Sequence, residues 1–188
     1  MVKMVGIRNA VREPNPTVSM VALNSELFAR LQTSTDGATT LADASHRVVG
    51  VLRGFREERS LERLGFVAAI RESDGVEPEK IELNELRLAG YVNSLRLVTP
   101  FPLFSCLDIY TPRFLANFYG ENSVEAWDKF WKDIFKPKEI TDLFLTPRWE
   151  QSYGARFERK LAEELDLKVH YVDRDPALLR ILRLVAPT

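Results

Sequence analysis

The sequence predicts an α/β fold, and two observations lead to that prediction. From residue 95 onward, short β-rich apolar runs alternate with amphipathic stretches at helical spacing, an order typical of a parallel sheet with helices on its faces. The 188 residues are 45% hydrophobic and 28% charged, which is ordinary for a globular chain with its own core. We therefore expect a Rossmann-like parallel sheet flanked by helices, with a mixed amino-terminal part.

The amino-terminal part shows the less regular pattern. Its β-rich runs predict strands at four places, and Asn24 with Ser25 resembles a helix cap. Pro78 suits the first turn of a helix and Gly90 suits its end. We treat residues 1–92 as a mixed part that can contribute strands to the same sheet, and residues 93–188 as the α/β core. The four predicted strands are 2–7, 17–23, 48–52 and 66–70.

The carboxyl-terminal part is more regular. Strands are predicted at 95–98, 140–145 and 168–172, and helices are predicted to begin after Ser123, at Tyr153 and at Pro176. The first of these helices carries large apolar residues at helical spacing. This stripe is either core, which the spacing favours, or a ligand-binding or dimer face. Its members are Val124, Trp127, Phe130, Trp131 and Ile134.

The charge pattern argues against nucleic acid as a partner. The formal net charge is −1, so no overall field attracts polyanions. A run of arginines is the feature that suggests a phosphate-binding surface, but glutamates interleave with it, which favours a hairpin or a short helix with a solvated face. The arginines are Arg53, Arg56, Arg59 and Arg63, and the glutamates are Glu57, Glu58 and Glu62.

Cysteine and histidine content narrows the chemistry further. Cys106 is the single cysteine, so no internal disulfide can form, and we expect a cytoplasmic protein with a buried, inert thiol. The two histidines, His46 and His170, lie far apart in the sequence, and we predict neither a metal site nor a cofactor. No run approaches the roughly 20 apolar residues that span a bilayer, so no membrane association is expected.

The most informative stretch is 141–158, which reads as a buried strand, a polar loop and a helix start. Helix amino termini favour polar or anionic ligand groups, and Gly154 lets another group approach the backbone closely. Trp149 could stack on a ring, Ser152 could cap the helix or contact a ligand, and Glu158 could act as nucleophile or base. In the alternative interpretation, the serine only caps, the tryptophan covers core and the glutamate pairs with a neighbouring arginine.

The stretch 142–171 resembles the carboxyl-terminal half of the nucleoside 2-deoxyribosyltransferase-like superfamily, most closely its uncharacterised members. The shared pattern is an aspartate and an apolar strand, then proline, tryptophan, serine-x-glycine-alanine-x-x-glutamate and a further alanine. Here its members are Asp142, Leu143 to Leu145, Pro147, Trp149, Ser152, Gly154, Ala155, Glu158 and Ala162. In the family's transferases the glutamate of this helix attacks the sugar's anomeric carbon, and the resemblance gives that role to Glu158.

The resemblance implies further residue roles. The family has a strand ending in glycine-proline-hydrophobic, whose candidate here is 97–101, so Thr99 and Phe101 would lie beside the substrate. Asp108 and Asp128 are the candidates for the family's substrate-binding aspartates. Homo-oligomers are common in this family, so we expect one here.

Two functions from different classes follow. The first is cleavage or transfer at the N-glycosidic bond of a nucleoside or nucleotide through Glu158. Asp142 or Tyr153 would donate a proton to the leaving base, and Trp149 would stack on it. Ser152 and Gly154 would contact the substrate. The alternative is a non-catalytic nucleotide-binding or protein-interaction module on the same scaffold.

Overall fold

The computed structural model of the protein describes residues 16–70, 78–118 and 123–185. The helices are α1 (Pro16–Ser34), α2 (Leu41–Arg59), α3 (Pro78–Arg96), α4 (Pro112–Phe118), α5 (Val124–Phe135), α6 (Tyr153–Glu164) and α7 (Pro176–Val185). The strands are β1 (Gly65–Val67), β2 (Leu103–Ser105), β3 (Asp142–Leu145) and β4 (Lys168–Tyr171). Short 3-10 turns occupy Cys106–Asp108 and Trp149–Gln151.

The four strands form one parallel sheet in the order β2-β1-β3-β4. Phe66 of β1 lies opposite Phe104 of β2 on one side and Leu143 of β3 on the other. Every residue of β1, β2 and β3 is buried, as expected for parallel strands covered on both faces. The predicted α/β class and the Rossmann-like parallel sheet are therefore confirmed.

The strand order creates a switch point between β1 and β3. The chain leaves β1 toward β2 on one side and later returns to place β3 on the other side. The connections at the carboxyl ends of β1 and β3 therefore diverge. Open α/β sheets bind their ligands in the crevice that forms at such a point.

Aromatic side chains fill the core beside the sheet. The ring of Phe66 lies 5.0 Å from that of Phe104, 5.1 Å from Trp131 and 5.4 Å from Phe135, measured between centroids. Four residues of α5 are buried, namely Phe130, Trp131, Ile134 and Phe135. The core interpretation of the aromatic stripe therefore holds for its inner residues, while Val124 is 55% exposed.

Three predicted strands are helical instead. Residues 17–23 belong to α1, 48–52 belong to α2, and 95–98 form the end of α3 and the turn after it. Val48, Leu52 and Phe55 are fully buried at spacings of four and three residues, so packing of one helical face outweighs the β propensity of their side chains. The adjacent strand that does form, β2, lies five residues beyond the predicted one.

Other helix boundaries also differ from the predicted ones. Asn24 lies inside α1 rather than at a cap, and its side-chain oxygen accepts a hydrogen bond from the Leu103 N–H at 2.9 Å. Helix α3 begins at Pro78 as predicted but passes Gly90, so position 92/93 falls within a helix. The predicted strand 2–7 lies outside the described residues. In the three ranges that the structure describes, no helix is long and apolar enough to cross a membrane.

Candidate functional site

Two adjoining cavities open at the carboxyl ends of the central strands. Their volumes are about 350 Å³ and 250 Å³. Both are lined by Ala69, which follows β1, by Cys106 and Tyr110, which follow β2, and by Tyr153 and Gly154 at the start of α6. Because these five residues are shared, we treat the two cavities as one space and call it the crevice. It lies at the switch point of the sheet.

Glu158 places a carboxyl group in the wall of the crevice. Its helix, α6, begins as predicted after Ser152, whose hydroxyl oxygen accepts a hydrogen bond from the Ala155 N–H at 3.3 Å. Glu158 is 1% exposed, and its Oε2 accepts a hydrogen bond from the Ala69 N–H at 3.0 Å. That bond fixes the carboxyl group between the carboxyl ends of β1 and β3.

No cation neutralises Glu158 within the described ranges. Burial raises the pKa of its carboxyl group to about 8, and the hydrogen bond from Ala69 offsets only part of that effect. The neighbouring arginines bind elsewhere, because Arg156 donates to the Glu150 carbonyl and Arg159 pairs with Glu163. The carboxyl group is therefore mostly protonated at neutral pH.

The start of α6 packs tightly against the end of β1. A Cβ atom at Gly154 would lie 3.3 Å from the Ala69 Cβ, so a larger residue would push the helix away from the strand. Tyr153 is 47% exposed at the rim, where its hydroxyl donates to Asp128 Oδ2 at 2.7 Å. This hydrogen bond raises the pKa of Tyr153.

The opposite wall consists of groups that keep their protons. Cys106 is buried, as expected, and burial raises the pKa of its thiol far above the ordinary value. Burial likewise raises the pKa of Tyr110, whose hydroxyl oxygen accepts a hydrogen bond from Trp131 Nε1 at 3.0 Å. Neither group is a nucleophile near neutral pH.

The crevice as a whole is aromatic and acidic. Its carboxyl groups come from three helices, with Glu85 on α3, Asp128 on α5 and Glu158 on α6. Neither lysine nor arginine lines it among the residues that the structure describes. The aromatic lining residues are Tyr110, Trp127, Trp131, Tyr153 and Phe157.

The structure brings four of the eight predicted site residues together, namely Ser152, Tyr153, Gly154 and Glu158. Trp149 does not join them. It is 7% exposed and lines neither cavity of the crevice. Its ring lies 6.0 Å from that of Tyr171, and the Arg159 guanidinium lies 5.0 Å from the centroid of the tryptophan ring. Trp149 therefore packs against β4 and covers part of the hydrophobic core.

The other three predicted residues lie at the amino end of the sheet. Asp142 is the first residue of β3, while Thr99 and Phe101 precede β2. The Asp142 carboxylate is hydrogen-bonded to Arg63 Nη2 at 2.5 Å and to His170 Nε2 at 2.6 Å. The Arg63 guanidinium also lies 3.9 Å from the Phe101 ring centroid. The length of a strand, about 10 Å for three residue steps, therefore separates this cluster from the crevice.

Hydrogen bonding keeps Asp142 ionised. Burial opposes ionisation, but hydrogen bonds from His170, Arg63 and Thr141 outweigh it and hold the pKa of Asp142 well below its ordinary value. A carboxylate that stays ionised cannot donate a proton to a leaving base, and it also lies at the wrong end of the strand. The structure therefore gives Asp142 a structural position, not the predicted proton-donating one.

Sequence reasoning missed groups contributed by distant segments, chiefly the Ala69 N–H and Tyr110, whereas Trp127 was already named in the aromatic stripe of α5. Of the two candidate aspartates, Asp128 lies in the crevice, whereas Asp108 accepts a hydrogen bond from the Ser105 N–H and pairs with Arg96. The position of the missed groups in the sequence could have identified some of them, because residues just after each buried parallel strand lie at the ligand-binding edge of the sheet.

Neither a metal-binding group nor a similar known protein identifies the function of the crevice. Among the residues that the structure describes, no group of three or more histidine, cysteine, aspartate or glutamate residues could hold a metal ion. Comparisons of the chain with protein-family models, with curated proteins and with solved structures find no significant match.

Proposed function

We propose that this protein cleaves or transfers at the N-glycosidic bond of a nucleoside or nucleotide, with Glu158 as the nucleophile. The observation that carries the proposal is the position of this carboxyl group, which is 1% exposed, unpaired by any described cation and in the wall of the crevice. A buried group with a strongly shifted pKa in a cleft is a candidate for catalysis. The resemblance to the transferase superfamily supports the same residue.

The reaction would proceed in two steps. An oxygen of ionised Glu158 attacks the anomeric carbon, the carbon–nitrogen bond breaks, and its electron pair leaves with the base. Water, or a second base in a transfer reaction, then displaces the glutamate from the sugar. The adjacent carboxylate stabilises the positive charge that develops on the sugar.

A neutral base needs a proton as it leaves. Tyr153 is the predicted donor that the structure retains in the crevice, with its hydroxyl hydrogen-bonded to Asp128. The amino terminus of α6 lies beside it and adds partial positive charge. The crevice volumes of about 350 Å³ and 250 Å³ suit a small molecule of nucleoside size.

The decisive experiment is incubation of the purified protein with a panel of nucleosides and nucleotides, followed by chromatography for free base. We expect release by the wild type and a loss of at least about 100-fold in Glu158→Gln, near 3 kcal/mol of transition-state stabilisation. Glu164→Gln is the matched control, because Glu164 lies on the same helix and its side chain is 52% exposed. Release that persists in Glu158→Gln at the wild-type rate would contradict the proposal.

A second candidate function is ligand binding without catalysis. It is favoured by the raised pKa of Glu158, since a protonated carboxyl group is a poor nucleophile. In that case a nucleoside or nucleotide at a hundredfold excess over its Kd would stabilise the protein by about 2.7 kcal/mol and would not be consumed. A melting temperature that no member of the panel raises would contradict this second candidate.

We also propose, from the resemblance, that the protein acts as a cytoplasmic homo-oligomer. Val21, Phe28 and Leu97 are 50%, 42% and 64% exposed and line one groove between α1 and α3. Burial of this apolar face against a second copy would remove it from water. Sedimentation velocity at micromolar concentration checks the proposal, and a monomer would contradict it.

A further inference from the structure

The lining of the crevice suits a positive charge. Glu85, Asp128 and Glu158 approach it from three different helices, and no basic side chain lines it in the described part of the chain. The remaining titratable groups of the lining are the Cys106 thiol and the hydroxyls of Tyr110 and Tyr153, which are uncharged at neutral pH. A ligand with a phosphate group would face Glu85 and Asp128 and would find no basic side chain in the described lining, only the partial positive charge at the amino terminus of α6.

Aromatic rings surround the same space. Tyr110, Trp127 and Trp131 form one group, with ring centroids 5.5 Å apart for Tyr110 and Trp127 and 6.0 Å apart for Tyr110 and Trp131. Tyr153 and Phe157 stack in parallel on α6, 6.5 Å apart. The faces of such rings attract organic cations, and tryptophan does so most strongly.

One polar group at the bottom of this space is left without a charged partner. Glu158 is 1% exposed, and its described hydrogen bond, from the Ala69 N–H, uses only Oε2. Among the described residues, Oε1 accepts no hydrogen bond, although Glu158 lines the cavity. Because Glu158 lines the cavity, its carboxyl group can pair with a ligand group that enters there.

Proton donors are scarce in the crevice. Asp142 lies at the amino end of β3, and the hydroxyl of Tyr153 already donates to Asp128 at 2.7 Å. A neutral purine or pyrimidine leaves its sugar as an anion unless it is protonated. A base that already carries a positive charge leaves as a neutral molecule and needs no donor.

From these four features we infer that the crevice selects nucleosides whose base is cationic, such as N-alkylated purinium or pyridinium ribosides. The inference rests on the proposed function and narrows its substrate class. An oxygen of Glu158 bonds to the anomeric carbon as the carbon–nitrogen bond breaks, and the electron pair of that bond neutralises the ring nitrogen. Water then replaces Glu158 on the sugar and releases one proton to solvent, so that cationic nucleoside plus water gives sugar, neutral base and a proton.

The charge of the ligand also activates the nucleophile. In the free crevice the raised pKa of Glu158 keeps the carboxyl group protonated at neutral pH. A cation within a few ångströms favours the ionised form. A cationic nucleoside therefore ionises the group that attacks it, whereas a neutral nucleoside leaves that group protonated.

The test compares 7-methylguanosine with guanosine at pH 6, where one methyl group gives the first base its positive charge. Binding is measured by calorimetry on Glu158→Gln, which cannot turn the ligands over, and base release is measured on the wild type relative to each substrate's spontaneous hydrolysis. We expect Glu158→Gln, which keeps Glu85 and Asp128, to bind 7-methylguanosine several-fold more tightly than guanosine, and we expect the wild type to show the larger enhancement for 7-methylguanosine. In the same Glu158→Gln background, Asp128→Asn should reduce the preference several-fold, and Asp133→Asn, on the same helix but outside the crevice, should not.

The outcomes separate this inference from the proposed function. Equal affinity and equal enhancement for the two nucleosides, with release that Glu158→Gln abolishes, would overturn the charge preference and retain glycosidic cleavage. Tight binding of 7-methylguanosine without release would support cation recognition and overturn cleavage. Binding of neither nucleoside, together with no release by the wild type, would overturn both.

Discussion

Two buried carboxyl groups lie at opposite ends of the same sheet, and their surroundings have opposite effects. Asp142, at the amino end, is 1% exposed and is bound by Arg63, His170 and Thr141. Glu158, at the carboxyl end, is also 1% exposed but accepts one described hydrogen bond, from the Ala69 N–H. The pKa of Asp142 is lowered well below its ordinary value, whereas that of Glu158 is raised to about 8.

The comparison shows that burial favours the uncharged form of an acid unless charged and hydrogen-bonding partners outweigh it. Three hydrogen-bond donors, one of them the Arg63 guanidinium, outweigh the desolvation of Asp142 and tie β3 to its neighbours. Glu158 lacks such partners and lies where open α/β sheets bind ligands. The first carboxyl group therefore has the surroundings of a structural ion pair, and the second has those of the proposed catalytic group.

The largest expected effect is on the pH dependence of stability in Glu158→Gln. The pKa of Glu158 is about 8 in the folded protein against an ordinary 4.5, so the folded state binds the extra proton between these values. The wild type therefore loses about 1.4 kcal/mol of stability per pH unit in the middle of this window and less near its ends, about 3 kcal/mol from pH 5 to pH 8. Urea unfolding of the wild type and of Glu158→Gln across this pH range measures the free energy of unfolding, and Glu158→Gln should not show the loss. Parallel pH profiles would contradict the unpaired state of Glu158.

The same amide substitution at the other end of the sheet should have the opposite sign. Asp142→Asn removes the negative charge that pairs with Arg63 and His170, and we expect a loss of about 2–3 kcal/mol at pH 7. This loss is smaller than the loss expected for a fully buried ion pair, because the Arg63 side chain is 39% exposed. Because the pKa of Asp142 is lowered on folding, this contribution is present above about pH 4 and disappears as pH falls further. The exposed Asp173→Asn is the control, and equal unfolding midpoints for the two variants would refute the structural role.

The next effect concerns the rate of cleavage of neutral nucleosides. If ionised Glu158 is the nucleophile, base release should rise about tenfold per pH unit below its pKa of about 8 and level off above it. Initial rates between pH 6 and pH 9 measure this profile. A rate that instead falls as pH rises would identify the protonated carboxyl group as the active form.

The smallest effect is expected at Trp149, the predicted base-stacking residue that packs outside the crevice. Trp149→Phe keeps an aromatic ring against Tyr171 and should cost about 1 kcal/mol of stability with no change in base release. Thermal unfolding and the chromatographic assay measure the two quantities. A KM that rises tenfold or more would show that this ring reaches the substrate.

The sequence predicted local features better than long-range ones. The start of α6 was recognised because the Ser152 cap, Gly154 and the apolar spacing of the helix all lie within a few residues. The Ala69 N–H that binds Glu158 lies 89 residues away in the chain, and only the sheet order brings the two together. Tyr110 and Trp127 reach the crevice for the same reason.

The wrong predictions share a physical cause. Residues 48–52 are rich in valine and leucine, which favour strands locally, but the burial of one face of α2 decides their conformation. Asp142 was chosen for its motif, although the first residue of a parallel strand lies at the amino end and cannot reach the ligand-binding edge. Strand direction therefore separates two carboxyl groups that the motif placed together.

The central claim is that Glu158 is an uncharged buried acid whose ionisation a cationic ligand induces. Infrared difference spectroscopy between wild type and Glu158→Gln at pH 6 tests it directly through the carbonyl stretch of a protonated carboxyl group. We predict that this band is present in the free protein, titrates near pH 8 and disappears when 7-methylguanosine binds. A wild-type protein that lacks the band at pH 6 would show that Glu158 is already ionised and would contradict the account.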